Sequence, residues 1–498
     1  MNIDDIVYLV CLLSCIAFGY FSRRIQDDSQ RKLLGTAFGV LIVVIVSGIH
    51  VLHCLISFSL CALAVQYAHP SKCHIISFAI MFGYLVFFRT TTYFGLPSPP
   101  GHTNMIQMIL TLKAAGIAFE KAAAYKKVEQ RKKEVAERSQ PSTSEQKDLG
   151  PIVELTDYDL ELQTLTTVEM FHYCFNYIGV LTGPYYRYRT YRDYFDMPFK
   201  NYANCKDSTL EKLKYTVMYG VIYLVANSIW PLEYSLTDEF ANERHFLYRI
   251  FYVWPNFLIF RMRIYIGITL SECVCTASGF GAYPVEAGAI EGEGPKKQYD
   301  HLKRDAEKRE YSFITIKNLR AYETETCLTI REAMKNWNVC VQYWLAVNIY
   351  KQFPSKKYRT VVTLLTSSFW HGFMPGHYLC IMGALFYCPV EDMFTALFRK
   401  DATGTKLKIV NALFCIHKYY GLGYLGTAFQ LLTIQNIWKY YSSIYQFGYV
   451  YWAVMAVIAV VLTKRKRAAE KRKKRELEKR GTEAAVAGEL SKQKEKAQ

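Results

Sequence analysis

The chain alternates between long apolar runs and short, highly charged patches, and this segregation constrains the fold more than any other feature. A helix that crosses the hydrocarbon core of a bilayer needs roughly 20 mostly apolar residues. Because lipid offers no hydrogen-bond partners, a backbone segment inside it must bond to itself, which favours helices. The sequence therefore predicts an all-α, polytopic membrane bundle of roughly 9–12 transmembrane helices. Apolar runs lie near residues 6–21, 33–49, 51–68, 74–94, 103–119, 168–181, 209–230, 246–271, 338–350, 360–388, 408–433 and 447–463.

The charges that flank the first apolar run predict its orientation. Asp4 and Asp5 precede the run, whereas basic residues cluster behind it at positions 23–32. Because positive charge is enriched on the cytosolic side of membrane proteins, we expect a lumenal N-terminus. Five spans would then return the chain to the cytosol at Lys121, where the most basic internal segment begins. We interpret residues 121–150 as a flexible cytosolic loop.

Two further polar segments complete the predicted domain organisation. Residues 279–310 carry many charges and are predicted to form a second extramembrane loop. We expect a membrane domain over residues 1–463 and a basic cytosolic tail over residues 464–498, where 14 Lys and Arg face six Glu. A basic tail beside an apolar helix predicts a cytosolic anchor that contacts anionic lipid headgroups rather than nucleic acid. Residues 494–498 resemble a dilysine retrieval signal, which predicts the endoplasmic reticulum membrane.

The cysteines give no indication of a metal site or of disulfides. Fourteen are scattered singly, many within apolar runs, and the nearest approach to a ligand pair is Cys273-x-Cys275. This spacing differs from that of zinc sites. We therefore expect small hydrophobes that face lipid or the core, not disulfides or ligands, and no structural metal.

Two apolar runs contain polar residues that are costly to bury in lipid and for that reason often functional. In one run, Thr363, Ser367 and His371 recur at intervals of four and form a polar stripe on one helix face. The stripe ends at Gly372 and at Pro375-Gly376, which predicts a helix break beside His371. The alternative is a histidine that hydrogen-bonds across helices without catalysing anything.

The other run contains Asn338 and Gln342, four residues apart. This spacing predicts that both amides project from the same side of one helix. Interhelical hydrogen bonding would explain either amide, and it is the favoured role of Gln342. Gln342 and Ser367 are kept as secondary candidates for contact with a substrate.

The segments 336–345 and 367–378 together resemble the signature of the membrane-bound O-acyltransferase family, in which a Trp-Asn motif precedes a Trp-His-Gly motif by about one helix and a loop. This resemblance implies that His371 and Asn338 are the catalytic pair and converge in a chamber inside the bundle. It also implies acyl-CoA as co-substrate, with no cofactor and no metal.

Further segments look like those of lysophosphatidylinositol acyltransferases within that family, including residues 110–113, 174–191 and 279–284. They imply that the acceptor is the sn-2 hydroxyl of lysophosphatidylinositol and that the acyl group is polyunsaturated and arachidonoyl-like. Another lysophospholipid, such as lysophosphatidylserine, is the alternative acceptor. A lipid or ion transporter is the alternative of a different class. It is disfavoured because the runs around Asn338 and His371 contain no carboxylate or charge pair.

The implied chemistry suits these residue types. An acyl-CoA thioester is already activated, so the reaction needs a base for the acceptor hydroxyl, and an imidazole with a pKa of about 6.5 is such a base. The Asn338 carboxamide offers an N–H donor for the developing oxyanion, or it orients the acceptor or the imidazole.

Four arginines are candidates for binding phosphate. Arg187 and Arg189 are interleaved with tyrosines, a pattern typical either of an interfacial aromatic belt or of a phosphate grip. Arg261 and Arg263 lie inside a more apolar run, which favours an internal anionic site.

Overall fold

A computed structural model of the chain describes residues 3–138 and 152–495. Almost all of the described secondary structure is helical, which confirms the predicted all-α class. Two short strands, β1 (Tyr283–Pro284) and β2 (Tyr311–Ser312), pair antiparallel. Their register places Tyr283 opposite Ser312 and Pro284 opposite Tyr311.

Twenty α-helices follow one another in the described ranges. The first seven are α1 (Ile3–Ser22), α2 (Asp28–Ser47), α3 (Val51–Tyr67), α4 (Cys73–Arg89), α5 (Gly101–Arg138), α6 (Asp157–Glu161) and α7 (Thr167–Phe175). The next seven are α8 (Tyr188–Asp196), α9 (Cys205–Ile229), α10 (Asp238–Asn242), α11 (Phe246–Phe251), α12 (Val253–Ser278), α13 (Ala321–Thr326) and α14 (Ile330–Asn336). The last six are α15 (Val339–Leu345), α16 (Arg359–His371), α17 (Pro375–Phe394), α18 (Gly404–Leu431), α19 (Ile434–Ser443) and α20 (Phe447–Glu495).

Shorter helical turns connect or extend these helices. Two π-helical turns continue α15 and α17, over Ala346–Tyr350 and Thr395–Arg399 respectively. The 3₁₀ turns are Gly48–His50, Thr91–Phe94, Pro198–Asn201, Leu232–Leu236, Val285–Ala287, Asp300–Lys303, Ala306–Lys308 and Ile314–Ile316.

Several helices are long and apolar enough to cross a membrane, as the sequence predicted. In the part of the chain that the structure describes, four stretches combine the required length and hydropathy, namely Ile3–Ser22, Asp28–Tyr67, Pro375–Arg399 and Phe447–Arg480. Their outward side chains are apolar, and Leu13, Leu60 and Val457 are exposed as lipid-facing residues would be. The total of roughly 9–12 spans stays a prediction.

Three other long helices carry charged side chains that are buried inside the protein. Helix α5 buries Lys113, α12 buries Glu272, and α18 buries Lys418. The ammonium of Lys113, for example, donates to the carbonyls of Tyr173 and Ile178, both at 3.3 Å. Buried charges are tolerated when they are hydrogen-bonded in this way.

The interpretation of residues 121–150 as a flexible loop is wrong for its first half, because α5 continues without interruption to Arg138. The segment is rich in Ala, Glu, Lys and Arg, all strong helix formers. Side-chain pairs along the helix add support, such as Lys132 with Glu129 at 2.9 Å. The rest of the predicted loop, residues 139–151, lies outside the described residues.

The other two polar segments are also more ordered than a loop or a tail. The segment 279–310 contains β1 and three 3₁₀ turns, and it buries Tyr283 and Tyr299. The basic tail continues α20 as one helix from Phe447 to Glu495.

Helix α5 anchors both helices that carry the motif residues. The indole N–H of Trp344, on α15, donates to the carbonyl of Leu112 at 3.0 Å. The indole N–H of Trp370, on α16, donates to the carbonyl of Met108 at 3.0 Å. Both tryptophans belong to the largest hydrophobic cluster, which also unites the first helices of the chain.

Candidate active site

His371 is the last residue of α16, and the predicted helix break beside it is confirmed. Gly372 follows with φ of 152°, a value that disfavours side chains, and α17 begins at Pro375. Within α16, the hydroxyl of Thr363 donates to the carbonyl of Arg359 at 2.7 Å. Ser367 lies one turn before His371 and is partly exposed.

The His371 imidazole is surrounded by rings from the two helices that follow it. Its ring centroid lies 5.2 Å from that of Phe429 on α18, with the planes nearly perpendicular, and 6.1 Å from that of His377 on α17. His371 sits deep among protein atoms but keeps accessible surface. The imidazole is therefore partly, not fully, enclosed.

The prediction that Asn338 shares a helix face with Gln342 is wrong. Asn338 precedes α15 as its N-cap residue and adopts the left-handed conformation, with φ of 50° and ψ of 50°. Asparagine tolerates this conformation better than most residues because its short polar side chain can bond locally. In the described structure the carboxamide does not cap α15, so it is available for another partner.

The backbone that follows Asn338 is held by Asn318. The N–H of Val339 donates to the Asn318 carbonyl at 2.8 Å, and the N–H of Cys340 donates to Asn318 Oδ1 at 3.0 Å. Glu272 in turn accepts from the backbone N–H of Asn318 at 2.7 Å and is paired with Lys212. This network sets the start of α15 and hence the position of Asn338.

The sequence did not reveal this network as part of the site. Glu272 is 3% exposed and Asn318 is also 3% exposed, so both are buried polar groups. The only available signal was a carboxylate close behind a long apolar run, where a charge needs a partner.

Gln342 closes the end of the preceding helix, in agreement with a role in holding helices together. Its side-chain N–H₂ donates to the carbonyl of Met334 at 2.5 Å and to the carbonyl of Trp337. Both carbonyls lie at the C-terminus of α14, where the Met334 carbonyl also accepts from the N–H of Trp337.

A row of aromatic rings connects the two motif positions. Trp337, next to Asn338, stacks on Phe260 with centroids 6.4 Å apart and planes 12° apart. Phe260 lies 5.6 Å from Phe429, which contacts His371. All of these side chains keep part of their surface accessible. Ring contacts therefore connect His371 to Trp337, the residue before Asn338 in the chain.

Arg187 and Arg189 are occupied by partners from the protein itself. The Arg187 guanidinium contacts Glu120 Oε2 at 3.0 and 3.1 Å. Arg189 donates to the hydroxyl of Tyr299 at 3.1 Å and lies over its ring. Both are partly exposed, and neither is adjacent to the aromatic row.

Arg261 and Arg263, the residues predicted for an internal anionic site, lie in different surroundings, and each has a carboxylate partner from the protein. Arg261 is buried, but Glu325 neutralises it at 2.9 Å. The Arg263 side chain is 64% exposed and faces Asp5 at 3.6 Å. The two residues are two apart on α12, so their side chains point to different sides of the helix.

These pairs also correct the argument used against a transporter. Carboxylates do occur near the motif helices, at Glu272 and Glu325. Each is held by several protein donors, and Glu325 accepts from Tyr265 at 2.8 Å as well as from Arg261. Such fully paired carboxylates brace the structure.

Among the residues that the structure describes, no group of three or more His, Cys, Asp or Glu side chains is arranged to hold a metal ion. All fourteen cysteines are free, and most are buried. They pack as small hydrophobes, as the sequence predicted.

Comparison with known proteins gives consistent matches along most of the chain. A model of the MBOAT, membrane-bound O-acyltransferase family, matches residues 98–432, which include both His371 and Asn338. A Drosophila melanogaster protein named membrane-bound acylglycerophosphatidylinositol O-acyltransferase frj is 58% identical over 475 residues, covering 94% of this chain and 95% of that protein.

More distant relatives carry the same description. The Homo sapiens protein named membrane-bound acylglycerophosphatidylinositol O-acyltransferase MBOAT7 is 33% identical over 450 residues, covering 89% of this chain and 91% of that protein. The Caenorhabditis elegans protein of the same description, mboa-7, is 28% identical over 471 residues, covering 92% and 94% respectively.

Proposed function

This chain belongs to the membrane-bound O-acyltransferase family, and on that premise we propose that it transfers a long-chain acyl group from acyl-CoA to the sn-2 hydroxyl of lysophosphatidylinositol. The chain is an acyltransferase of the membrane. The named acceptor of its relatives supports the choice of lysolipid, and the 58% identity to the Drosophila protein over nearly the whole chain carries this proposal. A polyunsaturated, arachidonoyl-like chain is the proposed donor group.

His371 is the proposed base. It takes the proton from the acceptor hydroxyl while that oxygen attacks the thioester carbonyl, and a tetrahedral oxyanion forms. The intermediate collapses with loss of the coenzyme A thiolate, which receives the proton back from the imidazolium. The products are the diacyl phospholipid and free coenzyme A. The partly accessible, interior position of the imidazole supports this role.

Asn338 is proposed to donate its side-chain N–H to the oxyanion or to orient the acceptor. Its carboxamide is not used to cap α15, which supports a role toward the substrate. The row formed by Trp337, Phe260 and Phe429 offers an apolar surface for the acyl chain. Holding the acyl donor and the lysolipid acceptor against these rings reduces the entropy cost of bringing the two reactants together.

We place the enzyme in the endoplasmic reticulum membrane with a lumenal N-terminus and a cytosolic C-terminus. The basic end of α5 and the basic continuation of α20 support a cytosolic location for both segments. Coenzyme A is too polar to cross the bilayer, so it would enter from that side.

The test uses membranes that contain the full chain. Arachidonoyl-CoA and oleoyl-CoA are each supplied with lysophosphatidylinositol, lysophosphatidylserine and lysophosphatidylcholine, and product formation is measured. We expect the highest rate with arachidonoyl-CoA and lysophosphatidylinositol. Comparable rates on all three headgroups would refute the proposed acceptor, and equal rates with both donors would refute the proposed acyl preference.

His371→Ala is measured in the same assay. We expect loss of transfer while the protein remains folded and inserted, because the base is gone. His417→Ala is the matched control, since it removes another imidazole. His417 lies on α18, and its imidazole is hydrogen-bonded to the Tyr451 hydroxyl at 2.8 Å. Full activity in His371→Ala would remove the histidine from the mechanism.

A further inference from the structure

Arg89, the last residue of α4, binds the end of the helix that carries His371. Its Nη1 donates to the carbonyl of Phe369 at 3.1 Å, and its Nη2 donates to the carbonyl of Trp370 at 2.7 Å. Its Nε donates to Asn104 Oδ1 at 2.9 Å, which fixes the plane of the guanidinium. The fork thus holds the two carbonyls directly before His371.

These contacts satisfy a specific need at the end of α16. The last four carbonyl groups of a helix have no N–H donor within that helix, so they need donors from outside it. Gly372 and the following residues turn away into α17, so the chain itself does not supply them all. The helix dipole also concentrates negative charge at this end, where a cation is favoured. A planar guanidinium presents its N–H donors in a rigid fork that matches two adjacent carbonyls, whereas a lysine ammonium is a point charge on a flexible stem.

The charge of Arg89 is committed to this helix end. In the described ranges, no carboxylate lies within ion-pair distance of its guanidinium. Two neighbouring polar side chains are neutral as well. Asn104 accepts from Arg89 with its amide oxygen, and Trp370 donates its indole N–H to the carbonyl of Met108. Three hydrogen bonds to neutral acceptors hold this partly buried cation in a single orientation.

The backbone and the ring of His371 are held from opposite sides. Helix α4 binds the backbone of α16 through Arg89, and the indole N–H of Trp370 on α16 donates to the backbone of α5. The imidazole itself contacts Phe429 and His377, on α18 and α17. A shift of the α16 backbone relative to α18 would therefore move the imidazole relative to the row of aromatic rings.

We propose that Arg89 is a positioning residue for the transfer reaction, which aims the His371 imidazole at the acceptor hydroxyl by clamping the carbonyls of Phe369 and Trp370. This inference rests on the proposed catalytic role of His371. It assigns no contact between Arg89 and either substrate. Asn104 completes the clamp because it orients the guanidinium.

The test compares Arg89→Met and Arg89→Lys with the wild-type chain in detergent or in membranes, using arachidonoyl-CoA and lysophosphatidylinositol. We expect kcat per folded molecule to fall about 100-fold in Arg89→Met, the effect of a misplacement of about 1 Å. The KM values of both substrates should stay unchanged, since the residue touches neither. Arg89→Lys keeps one charged donor and should recover part of the lost kcat.

Arg31→Met is the matched control. Arg31 is buried, whereas Arg89 is partly buried, and like Arg89 it donates to a backbone carbonyl, that of Ile25, at the corner between α1 and α2. We expect this variant to lose stability but to keep its kcat per folded molecule. An equal kcat in Arg89→Met and Arg31→Met would overturn the proposal, as would a raised KM with an unchanged kcat.

Two further variants keep the proposal testable and separate it from the catalytic role of His371. If Arg89→Met does not fold, Asn104→Ala leaves the guanidinium in place and removes only its Nε partner. It should then lower kcat with unchanged KM, and a wild-type kcat would refute the clamp. His371→Ala in the same series separates the two proposals: its full activity would refute the catalytic role itself, whereas an inactive His371→Ala beside a fully active Arg89→Met refutes only the positioning role.

Discussion

Substitution of Asn338 separates the chemistry of its carboxamide from the backbone conformation that carries it. The residue has φ of 50° and ψ of 50°, and a left-handed conformation costs an ordinary L-residue about 1–2 kcal/mol. Glycine adopts this conformation without that cost. We therefore expect Asn338→Gly to unfold with a free energy close to that of the wild type, and Asn338→Ala to be about 1 kcal/mol less stable.

The two variants should nevertheless lose activity equally. Both lack the carboxamide, and removal of one oxyanion donor lowers kcat about 10²- to 10³-fold. The structure predicts little further loss, because the backbone bonds of Val339 and Cys340 to Asn318 do not involve the Asn338 side chain. The measurements are the acylation rate with lysophosphatidylinositol and thermal unfolding of the purified protein.

Asp305 provides the control for backbone strain. It too is left-handed, with φ of 57°, but lies in the segment between β1 and β2, and no contact places it at the aromatic row. Asp305→Ala should lose stability by about the same amount as Asn338→Ala, about 1 kcal/mol, and keep the wild-type rate. The reasoning is refuted if Asn338→Gly is as active as the wild type, or if Asn338→Ala loses activity and Asn338→Gly does not. The second result would show that the residue acts through its conformation.

Two more predictions concern the scaffold of the site. Glu272→Ala leaves the buried N–H groups of Asn318 and Leu319 and the Lys212 ammonium without their carboxylate, so the free energy of unfolding, measured by thermal unfolding, should fall by about 3–5 kcal/mol. Glu272→Gln retains an acceptor and should lose clearly less stability. An equal loss in both variants would contradict the network. Gly376→Ala would place a Cβ 2.0 Å from the Ala428 carbonyl oxygen, so α17 and α18 must separate and the yield of folded protein in size-exclusion chromatography should drop. Gly83→Ala meets nothing within 4 Å and should leave that yield unchanged, and equal yields for the two glycine variants would contradict the close approach.

The break beside His371 could be predicted from the sequence because it depends on local residues. Glycine and proline at 372 and 375 end a helix whatever packs around it. The start of α15 could not be predicted in the same way. The apolar run from 338 suggested a helix that includes Asn338, but two acceptor oxygens of Asn318, which bind the N–H groups of Val339 and Cys340, set the first helical residue at Val339. The helical state of residues 121–138 was missed for another reason, since a charged segment rich in helix formers can be a loop or a solvated helix, and charge alone does not distinguish them.

The order of polar and apolar residues by itself determined that this chain forms membrane helices, and the motif around His371 and Asn338 determined its family. Both are properties of short segments, because hydrocarbon and helix geometry act on neighbouring residues. Only the tertiary structure decided which charges are free and which are neutralised. Arg187 meets Glu120 and Arg261 meets Glu325, partners that are 67 and 64 residues apart. Such pairs form where distant helices pack together, and no periodicity along the chain encodes that contact.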